Sequence, residues 1–478
     1  MGLRTPSEYV ESLKDNRTVY FRGEKVDDVT THPIISKAVK HASVDFEMAE
    51  EAEHRDLAVV SGEGEPYSRY FKVPQDSDDL LLRSHLIEAG TARGKTLVPL
   101  VKEIGTDCLF ALHKVARQVD AKYETEYYKR VRAFYEHCRD NDLTISVAQT
   151  DTKGDRAKGP ADQPHPDYYT RIVERRPDGI VVRGAKVHTS CTTNVNELIV
   201  IPTRAMAEAD ADYAVAFAIP VDTPGVKLIA SSYGGGEKNE YDHPLSADRK
   251  MMETITIFDD VFVPNERVFL AGEYDFCGPV ALGFVEYHRF TAVSYKLPLV
   301  DALVGSAALM AEMNGITRAA HVREKLVWLI SYAETTRALI EMAALRGKAD
   351  EQGIFAPDAL TVNMAKYHFA HNYHEALQHV QDIAGGLLVT GPGVEDFANP
   401  ETGDLLRYYL GGVEGVGGEE RVRAMNMVSD LTTGDFGGYH TVLAIHAEGS
   451  LEAEKLMIVR AYDARRTLAY ARELAGLK

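Results

Sequence analysis

Apolar residues recur at spacings of three and four from Ile87 to Ala116 and from Tyr123 to Asp140, the period of a helix with one buried face. The first 145 residues are therefore predicted to be mostly helical. Beyond Asp167 the period changes to two. Short β-branched runs at Gly179–Arg183, Glu197–Ile201, Tyr213–Phe217 and Thr254–Phe258 are divided by Asp, Gly and Pro turns. They predict a compact β domain of roughly a hundred residues, closing near Leu270. After Pro264 the helical period returns over Val280–Met313, Arg318–Gly347, Ala359–Ile383 and Glu419–Thr432, with a last segment from Leu451 to the end. Helices of that number and length imply a bundle. Two glycine-rich stretches, Gly385–Gly393 and Gly411–Gly418, interrupt it where backbone can approach a ligand closely.

The fold class is thus α+β: a helical domain over residues 1–145, a β domain over 146–272 and a helical bundle over 273–478. A chain of 478 residues is long enough for several such cores. At 45% hydrophobic and 26% charged residues it is too apolar to remain disordered. With 53 Lys+Arg against 72 Asp+Glu, the net charge of −19 argues against nucleic acid or an anionic membrane as the main partner. Met1–Gly23 mixes charged and apolar residues and lacks a signal-peptide core, so a cytoplasmic location is expected.

Several motifs fail. Cys108, Cys138, Cys191 and Cys277 are too scattered for a zinc module or a local cluster motif, and read as free thiols. Gly94-Lys95-Thr96 resembles the end of a phosphate loop, but Gly90 stands one residue too near. No Gly-x-Gly-x-x-Gly follows a strand, so any nicotinamide-derived reductant must come from another protein. His368, His371, His374 and His379, with Glu375, share a helical face, yet their spacing fits no metal site, and no metal is expected.

Three segments together, Thr150-Asp-Thr-Lys-Gly-Asp-Arg156, Arg183-Gly-Ala-Lys-Val-His188 and Asp382-Ile-Ala-Gly-Gly386, resemble the family of 4-hydroxyphenylacetate 3-monooxygenase oxygenase subunits and 4-hydroxybutyryl-CoA dehydratase. Thr5–Leu13, Phe258–Pro264 and Tyr287-His-Arg289 extend the resemblance in the right order, and its wording is closer to the dehydratase branch. The resemblance implies an acyl-CoA dehydrogenase-like fold, with the β domain as a barrel, and FAD between barrel and bundle. It places Gln149, Thr150, Lys153, Gly154, Asp155, Arg156, His188, Thr189 and Ser190 on the flavin. Asp382, Gly385 and Gly386 would reach it from a neighbouring subunit of a homotetramer. The residue types suit this, since hydroxyls can bond a flavin edge and Lys153 and Arg156 offer charge to phosphates.

The sequence departs from both branches. The dehydratase holds a four-iron cluster with three cysteines and a histidine; the matching positions here are Pro99, Glu103, His288 and Tyr295, which cannot hold a cluster. Its catalytic tyrosine is matched by Ala292, and its late acidic residue has no clear counterpart near Thr441–His446. Glu253, Ser190, His288 and Lys296 do match polar positions of that active site. The Arg, Tyr and His of the phenol-hydroxylating branch are matched by Ile104, Cys108 and Val147.

The leading expectation is therefore the oxygenase component of a two-component monooxygenase. It would take reduced FAD from a separate flavin reductase and use O₂ on a small organic substrate, with no iron–sulfur cluster and with His288, Ser190, Glu253 and Lys296 as catalytic candidates. The alternative is a cluster-free acyl-CoA dehydratase or double-bond isomerase in which Glu253 or His288 abstracts a proton. A third reading is a flavin-binding scaffold without chemistry.

Overall fold

The computed structural model describes residues 2–62 and 64–477. Short helices at Pro6–Glu11, Ile35–Ala42 and Val44–Glu50 precede three longer ones, α1 (Ser77–Arg93), α2 (Glu103–Tyr123) and α3 (Tyr127–Asp140). The helical period read from Ile87 to Ala116 belongs to two helices, with a break between α1 and α2. Lys95, Thr96 and Leu100 take left-handed backbone there, and Pro99 has no N–H to continue a helix. Gly94 makes the fold-back possible, because a Cβ at that position would lie 2.0 Å from the Leu97 carbonyl oxygen.

Ten strands build the β domain: β1 (Val19–Phe21), β2 (Glu24–Val26), β3 (Ile145–Ala148), β4 (Arg171–Arg176), β5 (Gly179–Ser190), β6 (Glu197–Val200), β7 (Val215–Pro220), β8 (Val226–Ser231), β9 (Glu253–Pro264) and β10 (Val268–Ala271). Their pairing gives a six-stranded sheet, β2-β1-β8-β9-β5-β4, and a four-stranded sheet, β10-β7-β6-β3. The N-terminal hairpin belongs to the first sheet, since β1 runs parallel to β8 with Val19 opposite Leu228. β6 and the start of β7 are buried on both faces, which explains why their sequences are unbroken apolar runs. The Ser146 hydroxyl of β3 donates to the Ser190 carbonyl of β5 at 2.6 Å and joins the two sheets beside the site.

The bundle is organised around α4 (Cys277–Met313), with α5 (Ala320–Leu345), α6 (Ala359–Ala384) and α7 (Gly418–Thr432). α4 is long and apolar enough to cross a membrane, but 61% of its most apolar stretch is buried inside the fold, as expected of a core helix. It packs against α1, α2, α5 and α6. An unpredicted helix, α8 (Asp435–His446), follows α7. The final segment divides into α9 (Leu451–Ala461), lying on α6, and α10 (Arg465–Leu474), which buries nothing.

Candidate active site

Glu253 opens β9 and Ser190 closes β5, and the sheet register sets them directly opposite each other. The Ser190 hydroxyl donates to the Glu253 carboxylate at 2.9 Å, and the Tyr439 phenol of α8 donates to it at 2.9 Å from the bundle side. Burial pushes the Glu253 carboxyl up to about 7, against the pull of those two hydrogen bonds. A carboxyl at that value exchanges a proton near neutral pH, as a general acid or base must.

A second group surrounds Glu448, in the link between α8 and α9. Lys296 of α4 donates to its carboxylate at 2.6 Å, Lys366 of α6 stands 3.6 Å away, and the Tyr295 phenol donates to its other oxygen. Burial alone would raise the Glu448 carboxyl, but Lys296, Lys366 and His288 outweigh it and hold it down at about 2. Burial brings the Lys296 ammonium down to about 8 in spite of Glu448. Glu448 has φ of 58°, and its carbonyl accepts from Arg289 Nε at 3.0 Å, so the link is pinned into the bundle by both backbone and side chain.

The third group holds His288. Its Nδ1 lies 3.1 Å from Asp107 Oδ2, and its ring stacks on Phe284 with centroids 5.0 Å apart. Burial raises the Tyr295 phenol well above its ordinary value, and Glu448, Glu253 and Asp107 add to that shift in decreasing order. The structure thus gathers Ser190 and Glu253 through a direct contact, sets Lys296 on Glu448, and ties His288 to Asp107.

The segment expected to hold flavin follows β3. Its anchor is Asp151, which accepts from the Thr170 N–H at 2.9 Å and pairs with buried Lys186 at 2.9 Å. Lys186 also donates to the carbonyls of Gln149 and Ile201 at 2.9 Å each. The turn requires glycine at position 154, where φ is 50° and a Cβ would sit 2.3 Å from the Tyr168 ring. Lys153 is half-buried, and burial lowers its ammonium. Asp155 and Arg156 are exposed; the Asp155 carboxylate accepts from the Ala157 N–H at 3.0 Å. On β5, His188 is exposed with φ of 56°, whereas Thr189 is buried and its hydroxyl has no hydrogen-bond partner among the described residues.

Gln149 also lines a cleft of 290 Å³ between the β domain and the bundle. Thr203 and Arg204 line the β side, Val285 and Arg289 of α4 the other, and Arg460 of α9 its rim. Arg204, Arg289 and Arg460 at the cleft fit the phosphates of a cofactor, and the orphaned Thr189 hydroxyl on β5 fits a polar ring edge. Asp382 lies apart from these contacts: it is exposed and pairs with Lys325 at 3.0 Å. Gly385 and Gly386 are exposed as well, and a Cβ at either would meet nothing within 4 Å.

Sequence reasoning missed Glu448, Asp107, Asp151 and Tyr439. Glu448 stands two residues beyond the stretch searched for a late acid. The available signal was a Glu-Gly pair after a helical run; in the structure both residues take positive φ. The histidines of α6 spread into aromatic contacts, His371 on Tyr367 and His379 on Trp328. Among the described residues, no three His, Cys, Asp or Glu side chains are arranged to hold a metal ion.

Comparison with known proteins places this architecture. Residues 5–270 match the description "4-hydroxyphenylacetate 3-hydroxylase N terminal" and residues 277–476 match "4-hydroxyphenylacetate 3-hydroxylase C terminal"; the chain belongs to this family. It is 34% identical over 492 aligned residues to 4-hydroxybutyryl-CoA dehydratase/vinylacetyl-CoA-Delta-isomerase of Clostridium aminobutyricum, covering 100% of both. It is 31% identical to the 4-hydroxyphenylacetate 3-monooxygenase oxygenase component of Thermus thermophilus, over 91% of this chain and 89% of that one. Among solved structures, an oxygen-tolerant archaeal 4-hydroxybutyryl-CoA dehydratase from N. maritimus superposes with a TM-score of 0.93 at 31% identity, covering 100% of this chain and 95% of that one. The oxygenase component of 4-hydroxyphenylacetate 3-monooxygenase complexed with FAD superposes at 0.91 and 28% identity, with 98% of each covered. The expected acyl-CoA dehydrogenase-like architecture is therefore present, with the β domain built as two sheets where a barrel was expected.

Proposed function

We propose that this chain is an FAD-dependent oxidoreductase, the oxygenase component of a two-component monooxygenase that acts on a small organic substrate. A separate flavin reductase would be its partner, a homotetramer its assembly and the cytoplasm its location. Bound reduced FAD would supply the two electrons with which O₂ delivers one oxygen atom to the substrate and releases the other as water. Gln149, Thr150, Thr189 and Ser190 would hold the ring edge; Lys153, Arg156 and the cleft arginines would hold the phosphates.

One observation carries the choice of branch. The positions matched to the dehydratase thiolates are engaged with the protein itself. The Pro99 carbonyl accepts from the Cys191 thiol at 3.5 Å, Glu103 accepts from the Lys102 N–H at 3.1 Å, and the Tyr295 phenol is bonded to Glu448. These contacts support a cluster-free reading over a cluster-dependent dehydration. The chain's own contribution is then to exclude water and to move a proton at Glu253, whose partners Ser190 and Tyr439 fix its orientation.

The dehydratase or isomerase reading rests on Glu448. With Glu253, Ser190 and Lys296 it supplies acids and a cation for proton abstraction beside a thioester. O₂ consumption with reduced FAD and a panel of phenols, set against anaerobic turnover of 4-hydroxybutyryl-CoA, separates the two. Oxygen-dependent product supports the oxygenase, and anaerobic thioester turnover supports the alternative.

The exposed apolar residues Val327, Ile330 and Leu345 along α5 support burial against a second copy, and exposed Gly385 suits the close approach expected between subunits. Light scattering tests this: a monomer that binds FAD tightly would contradict the assembly.

A further inference from the structure

We infer that Asp107 is a positioning residue for His288, fixing the tautomer and the direction of its ring. The inference rests on the expectation, drawn from the sequence, that His288 is one of the catalytic groups.

Asp107 lies on the second turn of α2 and is fully buried. Its Oδ2 faces His288 Nδ1 at 3.1 Å, while Oδ1 accepts from Thr291 Oγ1 at 2.9 Å and from Arg83 Nη2 at 2.7 Å. His288 and Thr291 are one turn apart on α4, so a single carboxylate grips one face of that helix. Arg83 is itself fixed by the carbonyls of Tyr70 and Glu103 at 3.0 and 2.9 Å and by Thr106 Oγ1 at 2.9 Å. The carboxylate therefore has a charged, immobile partner and keeps one oxygen for the imidazole.

An ionised carboxylate only accepts hydrogen bonds, so Nδ1 must carry the proton. In the neutral ring that leaves Nε2 as the basic nitrogen, and stacking on Phe284 sets the plane of the ring. A base whose tautomer and direction are both fixed by a third group is the general pattern for proton transfer by histidine. His288 also lies close enough to Glu448 to favour ionisation of that carboxyl.

A purely structural role would need the ion pair between Arg83 and Asp107 and nothing from the ring. Asp107→Asn separates the roles. The amide oxygen can still accept from Arg83 and Thr291, but the NH₂ then faces Nδ1 and forces the proton onto Nε2. With reduced FAD, O₂ and the most active phenol, Asp107→Asn is expected to lower turnover per bound flavin by about a hundredfold or more, with FAD affinity unchanged. ¹⁵N NMR of histidine-labelled protein should show the His288 ring changing from the Nδ1–H to the Nε2–H tautomer.

Turnover retained in Asp107→Asn while His288→Ala loses it would overturn the role of Asp107 and leave the catalytic part of His288 standing. Turnover retained in both would remove His288 itself. If Asp107→Asn fails to fold, the wild-type spectrum still decides: an Nε2–H tautomer in the native protein would refute the inference.

Discussion

Lys296 donates to Glu448 at 2.6 Å across 152 positions of sequence, and both side chains are almost completely buried. Removing one partner leaves the other charge without compensation in a low-dielectric interior. Glu448→Gln should cost about 3–5 kcal/mol of stability in urea denaturation, since Lys296 and Lys366 both lose their counter-charge. Adding Lys296→Met should recover part of the loss. A double-mutant cycle in which the two losses simply add would show the pair to be uncoupled.

Glu253 gives stability a defined dependence on pH. Its carboxyl is raised from an ordinary 4.5 to about 7, so the folded chain keeps a proton that the unfolded chain has released. That stabilisation is fully present below pH 4.5 and is lost as pH rises toward 7. The shift corresponds to roughly 3 kcal/mol. Glu253→Gln should flatten the loss of stability between pH 5 and 8 relative to the native chain. Glu454, also raised to about 7 by burial, contributes equally to both proteins and cancels in the difference. Parallel curves would show that Glu253 titrates normally.

The unpartnered Thr189 hydroxyl separates cofactor binding from folding. Thr189→Val removes a buried polar atom that bonds nothing among the described residues, so thermal stability without FAD should stay the same or rise. If that hydroxyl bonds the flavin, FAD affinity should fall by about tenfold in a fluorescence titration. Unchanged affinity would place the flavin edge elsewhere.

Gly105 governs how closely α2 approaches β3. A Cβ there would fall 2.3 Å from Ile145 Cβ, so Gly105→Ala must push the helix off the sheet and move Asp107 with it. The expected loss is about 1–3 kcal/mol by thermal denaturation, with a fall in turnover of the folded fraction. An alanine variant of native stability would show that the contact yields easily.

The helical and strand periods were legible because burial on one face imposes them. Glu419–Thr432 was read almost to the residue and is observed as Gly418–Thr432. The pairing of Ser190 with Glu253 was within reach for a similar reason, as strand ends set their partners through register. α8 was not legible: Gly434, Gly437 and Gly438 look like loop residues, and what holds the helix is packing of Phe436 and Tyr439 around Tyr233. Glu448 and Asp107 escaped for another reason. Their partners lie on α4 and α6, brought there by helix packing, and no local spacing records a contact between positions 107 and 288.

An oxygenase of this kind directs O₂ onto its substrate with electrons from FAD. Mass spectrometry of product formed under ¹⁸O₂, with reduced FAD and a panel of phenols including 4-hydroxyphenylacetate, tests it directly. One ¹⁸O atom is expected in the product, and none when the label is carried by water. Unlabelled product, or conversion of 4-hydroxybutyryl-CoA with O₂ rigorously absent, would contradict it.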